Sequence, residues 1–71
     1  MEVSGGSRNV LVITRRKKNN LVQLIADNDL NGYYIHHRRS GKLVKYDFAS
    51  REVNAAIAEY ERYYASLNLG L

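Results

Sequence analysis

The sequence predicts an α+β domain in which an antiparallel four-stranded β-meander packs on one C-terminal amphipathic helix, in the order ββββα. Four short runs rich in β-branched and aromatic residues lie between Arg8 and Phe48, separated by polar or glycine-containing turn segments. After Phe48 the apolar period changes from two to alternating steps of four and three, the signature of a single helical stripe. An amphipathic helix and a sheet with one apolar face bury each other, so the two halves predict a two-layer domain.

The elements follow in order. Residues 1–7, ending in Ser4-Gly5-Gly6-Ser7, have the composition of a flexible tail, which leaves 8–71 as one small domain. Val10-Leu11-Val12-Ile13 predicts the first strand, Lys17-Lys18-Asn19-Asn20 a polar turn, and Leu21 to Ala26 the second strand. Asp27 to Gly32 is a second turn, rich in residues that tolerate left-handed backbone or cap themselves, and Tyr33 to Arg39 is the third strand. Ser40-Gly41 supplies a two-residue loop, and Lys42 to Phe48 returns as the fourth strand.

A two-residue loop fixes register, so pairing Arg39 with Lys42 is expected to set His37 opposite Val44, Ile35 opposite Tyr46 and Tyr33 opposite Phe48 on an inward, apolar face. The outward face then carries Arg38 with Leu43, His36 with Lys45 and Tyr34 with Asp47. In the helix, Ser50 is the expected N-cap with Glu52 in the first turn, and Val53, Ile57, Tyr60, Tyr64 and Leu67 form the stripe, widened by Ala56 and Tyr63. Gly70 lies near the expected end.

Composition narrows the function classes. Seventy-one residues allow one domain with a small core and marginal stability. The absence of cysteine removes disulfides, thiolate metal sites and thiol nucleophiles together and suits a reducing compartment, so a cytoplasmic location is expected. No apolar stretch approaches the ~20 residues that span a bilayer, and the first residues have neither a basic nor an apolar export signature. A net charge of +4 points to anionic partners.

The placement of charge sharpens this. Seven of the eleven Lys and Arg residues fall in two runs, Arg15-Arg16-Lys17-Lys18 and Arg38-Arg39 with Lys42, and each run sits at a hairpin turn. In an up-and-down meander the first and third turns share an end, and the second, with Asp27 and Asp29, lies opposite. Surface strands also carry cations for solubility and to discourage edge pairing, but two runs that coincide in space are not dispersed. The pattern predicts a nucleic-acid-binding domain, DNA ahead of RNA. Arg15, Arg16, Lys17, Lys18, Arg39 and Lys42 would hold phosphates, while Tyr34, His36, Arg38 and Lys45 would project from the outward strand face. Exposed aromatics on that face also allow stacking on single-stranded bases.

The stretch Asn31-Gly32-Tyr33-Tyr34-Ile35-His36 through Ser40-Gly41-Lys42, then Phe48-Ala49-Ser50-Arg51-Glu52-Val53-Asn54-Ala55 and the helix to Leu67, resembles the small three-stranded DNA-binding domains at the N-terminus of phage-type tyrosine integrases and in plant AP2 factors. The resemblance covers about half of the chain. It implies a sheet lying in the major groove with the helix behind it, and Tyr34, His36, Arg38 and Lys45 facing DNA. The chain departs from that pattern in its additional N-terminal strand, its lack of tryptophan and Asp47 in place of the usual glycine before the aromatic.

Catalysis is not expected. His36 and His37 are adjacent on a strand, so they point to opposite faces and cannot share a metal ion or act as a facing acid-base pair. No glycine-rich phosphate loop is present, and no cofactor or metal is implied. The competing expectation is a protein-interaction adaptor or inhibitor, of a size shared with small phage- and plasmid-encoded proteins. It would act as a homodimer and grip an acidic surface, because Val10 to Ile13 is apolar toward both faces and exceeds what one helix covers.

Overall fold

Two tight turns of left-handed backbone set the sheet. The computed structural model describes residues 9–28 and 31–68. Strand β1 (Asn9–Lys17) returns through Lys18-Asn19 into β2 (Asn20–Asp27), and β3 (Gly32–Arg39) returns through Ser40-Gly41 into β4 (Lys42–Ser50). Both loop residues have positive φ in each case, 50° and 67° for Lys18 and Asn19, 51° and 82° for Ser40 and Gly41. This is the backbone of a type I′ turn, whose twist matches that of the flanking strands. Lys18 and Ser40 adopt it without being glycine, at a cost of about 1 kcal/mol each. At the first turn Asn20 offsets this, because its amide Nδ2 donates to the carbonyls of Lys17 at 3.1 Å and Lys18 at 2.9 Å.

The four strands form one antiparallel sheet in the order β1-β2-β3-β4, followed by helix α1 (Val53–Ser66). The ββββα arrangement is therefore the one the sequence predicts. The residues assigned to the tail, Arg8, Asp29 of the second turn and Gly70 beyond the helix lie outside the described residues.

The helix covers the centre of one sheet face. Val22 and Leu24 of β2, Ile35 of β3, and Ala56 and Tyr60 of α1 form the core, with Ile13, Tyr33, Ala49, Ile57, Tyr63, Tyr64 and Leu67 packed around it. The expected stripe is thus the packed one, except that Val53 at its start stays 37% exposed. Tyr60 is wholly buried and its hydroxyl donates to the Val22 carbonyl at 2.6 Å. Burial pushes that phenol up to about 12.

Two expectations are corrected. The helix cap is Glu52, not Ser50: Glu52 has extended backbone and its carboxylate accepts from the Ala55 N–H at 2.8 Å. Ser50 is held in β4 opposite Tyr33, and its hydroxyl accepts from the Glu52 N–H at 3.1 Å.

The second correction is the register of β4. Arg39 does face Lys42, but Val44 is an extra residue in the strand, and beyond it His37 faces Lys45, His36 faces Tyr46, Ile35 faces Asp47 and Tyr34 faces Phe48. A one-residue shift sends the following side chains to the opposite face, until Ala49, a second extra residue, shifts the register again and sets Ser50 opposite Tyr33. Lys45 and Asp47 move to the helix side, where β4 is an edge strand and charge stays wet. Tyr46 and Phe48 move to the open side and join Tyr34. The gain is aromatic packing there, with the Tyr34 and Tyr46 rings stacked at 5.4 Å and Phe48 edge-on to Tyr34 at 5.5 Å.

Candidate nucleic-acid interface

The two basic turns meet. The Ser40 N–H of the third turn donates to the Asn19 carbonyl of the first at 2.8 Å. Between them lies a cleft of about 550 Å³ bordered by Arg16, Lys17, Lys18, Arg38, Ser40 and Gly41. The strand order alone requires this adjacency, since β2 and β3 are neighbours and Asn20 pairs with Arg39.

A polar network beneath the cleft fixes the two turns to each other and to the helix. Asn20, almost fully buried, accepts at Oδ1 from Arg39 Nε at 3.2 Å and lies 2.7 Å from His37 Nε2, while Nδ1 of His37 lies 2.7 Å from the Tyr63 hydroxyl. Because Asn20 Oδ1 only accepts, Nε2 of His37 carries the proton and Nδ1 accepts from Tyr63. His37 has no exposed surface, so its ring is held neutral. Loss of solvation pushes its pKa below the ordinary 6.5, and the charges of Arg39 and His36 add to the effect.

The sign of the linkage follows. A histidine whose pKa is lower in the folded chain binds fewer protons than in the unfolded one, so its contribution is intact above about pH 6.5 and is lost as the pH falls below that value. Thermal unfolding is expected at a lower temperature at pH 5 than at pH 7.5, by about 4–8 °C for each kcal/mol lost. Circular dichroism melts check this, and stability that is flat or rising toward pH 5 would contradict the neutral His37.

The predicted site residues divide into three groups. Arg16, Lys17, Lys18, Arg38, Arg39 and Lys42 gather at the turn end, and among the described residues none of the six is ion-paired with an acid. Arg38 donates to the Gly41 carbonyl at 2.9 Å, which ties its guanidinium to its own turn.

Arg15 and Lys45 form the second group, and they are engaged on the helix side. Arg15 makes a bidentate pair with Glu61, both contacts at 2.8 Å, and its guanidinium lies 5.3 Å and 5.0 Å from the ring centroids of Tyr60 and Tyr64. The hydrogen bond from Arg15 holds the Glu61 carboxyl below its usual range. Lys45 pairs with Asp47 at 2.8 Å and sits 5.1 Å from the Tyr63 ring.

Tyr34 and His36 form the third group, on the open face. His36 lies beside Gln23, with Nδ1 2.9 Å from Oε1, and edge-on to Tyr46 at 5.7 Å. Burial and the nearby Arg38 lower its pKa.

Tyr46 and Phe48 were not among the predicted site residues, because the regular register turns them inward. No sequence signal finds them, because the regular register already places Lys45 and Asp47 on a wet face and leaves the rings for the core. Among the described residues no His, Asp and Glu cluster is arranged to hold a metal ion, and no helix is long and apolar enough to cross a membrane. Comparison with family models, with curated proteins and with solved structures gave no match.

Proposed function

We propose that this chain is a small basic nucleic-acid-binding domain, DNA ahead of RNA, that seats phosphates at its turn end and bases against the open face of β3 and β4. The observation that carries the reading is the junction of the two basic turns. Six cations that have no acidic partner among the described residues share one end of the sheet, and the first and third turns touch there. Unpaired cations concentrated on a small surface are the electrostatic footprint of a phosphate site. Three of the four positions that the integrase-type resemblance places against DNA, Tyr34, His36 and Arg38, share the open face; Lys45 does not. Such a module acts as an accessory domain in the cytoplasm, with no catalysis of its own.

The test is the affinity of a fluorescent oligonucleotide at about 50 mM and about 200 mM salt, which falls steeply for a phosphate-driven complex. No binding at the lower concentration would refute the reading.

A second reading has its own support. Val10, Leu11 and Val12 of β1 lie exposed on a free edge strand, which suits a homodimer or an adaptor that grips an acidic protein. Salt-tolerant association with a protein, a doubled native mass and no nucleic-acid retention would favour it.

A further inference from the structure

We infer that the open face of the sheet is a stacking platform for unpaired bases, so that the ligand is single-stranded nucleic acid and not a duplex. The inference rests on the nucleic-acid reading and narrows it. It begins with what each side chain on that face has left to offer.

A duplex is read through hydrogen bonds to base edges in its grooves, which needs free polar groups on the entering strands. Here part of that inventory is already engaged: His36 Nδ1 and Gln23 Oε1 meet at 2.9 Å, one N–H of Arg38 is given to the Gly41 carbonyl, and Lys45 lies on the helix side over Tyr63. The rings are not occupied in this way. Phe48 is 52% exposed and Tyr46 39%, with the apolar Leu43 on the same face at 58%. Within a duplex the base faces are already stacked on one another and have nothing to gain from such a surface. Unpaired bases present bare faces, and stacking on aromatic side chains is how they are held.

The seat of Phe48 supports a platform over a core residue. Its ring occupies the space above Gly32, where an added Cβ would lie only 2.5 Å from Cε1. The backbone of β3 thus supports the ring from beneath, while half of the residue faces solvent. Tyr34 abuts it edge-on and stacks on Tyr46, giving a row of rings. From Tyr34, the same face of β3 runs through His36 to Arg38, a span of about 13 Å for four residues of strand, and Arg38 borders the basic cleft. One strand of nucleic acid crossing the sheet would lay its bases on the rings and carry its phosphates to the cations that border the cleft. Charge complementarity therefore favours this occupant, since the face ends at a basic cleft that an anionic strand matches.

The experiment measures anisotropy of one labelled oligonucleotide, free and hybridised to its complement, with the wild-type chain and with Phe48→Leu and Phe48→Trp. The free strand is expected to bind at least about tenfold more tightly than the duplex. Phe48→Leu keeps the apolar bulk but removes the ring and is expected to weaken single-strand binding about 5- to 150-fold, the range for one stacked base, while Phe48→Trp retains binding. Equal or tighter binding of the duplex would overturn the inference and leave the phosphate site standing. Failure to bind either form would defeat the nucleic-acid reading itself. A dimer that dissociates in Phe48→Leu and competes with the oligonucleotide would give the face to a second copy and also overturn it.

Discussion

Replacing Lys17, Lys18, Arg38 and Arg39 together with alanine is expected to remove most of the salt dependence of oligonucleotide binding. Each single-strand phosphate neutralised contributes about −0.7 to the slope of log K against log salt. With all six pole cations engaged, the wild-type slope is at most about −4, and affinity falls roughly 300-fold between about 50 and 200 mM salt. With only Arg16 and Lys42 left, the slope is near −1.4 and the fall is about sevenfold. The control is Arg15→Ala. Arg15 belongs to the same sequence run but is held by Glu61 and the rings of Tyr60 and Tyr64, so its loss should lower stability by about 1 kcal/mol and leave the slope in place. If Arg15→Ala flattened the slope as strongly as the fourfold variant, the division of the basic run between the two faces would be wrong.

Tyr60→Ala is expected to leave the chain largely unfolded. Among the described residues Tyr60 is the largest fully buried side chain, and it joins the helix to the sheet both by packing on Val22, Leu24 and Ile35 and through its hydroxyl on the Val22 carbonyl. Removing a buried aromatic costs about 3–5 kcal/mol, and a single core of this size supplies little more than that. Tyr60→Phe separates the two contributions. It keeps the ring, removes the hydrogen bond and should cost only about 1 kcal/mol. Urea titration followed by circular dichroism measures both, and a cooperative transition for Tyr60→Ala close to the wild-type midpoint would show that the helix is not the main cover of the sheet.

Much of this architecture is legible in the residues. The change of period after Phe48 marks the helix, and Ala56, Tyr60, Ile57, Tyr64 and Leu67 take the positions their spacing assigns. Ser40-Gly41 marks a tight loop, and a meander then requires the two basic turns to share an end, as the contact between Ser40 and Asn19 shows. The β4 register was not legible, because the regular pairing gives an equally clean pattern, with Val44, Tyr46 and Phe48 turned inward. What decides between the two is tertiary. The shifted register pairs Lys45 with Asp47 on the helix side, where Lys45 also lies over Tyr63, and packs Tyr46 and Phe48 against Tyr34 on the other face. The ion pair of Arg15 with Glu61 is hidden because the two residues lie 46 positions apart and meet only when the helix packs on the sheet. Asn20 illustrates a third limit. In sequence it is one more polar turn residue, whereas in the fold it is the buried junction of both turns and His37.

Amide chemical-shift mapping of the ¹⁵N-labelled chain with a short single-stranded oligonucleotide tests the central claim most directly. The predicted result is that perturbations cluster at Arg16 to Leu21 and Arg38 to Lys42 and continue onto Tyr34, Tyr46 and Phe48, with the outward side of α1 unchanged. Perturbations centred on the exposed helix residues Glu59 and Arg62, or on the opposite end around Asn31 and Arg51, would contradict it.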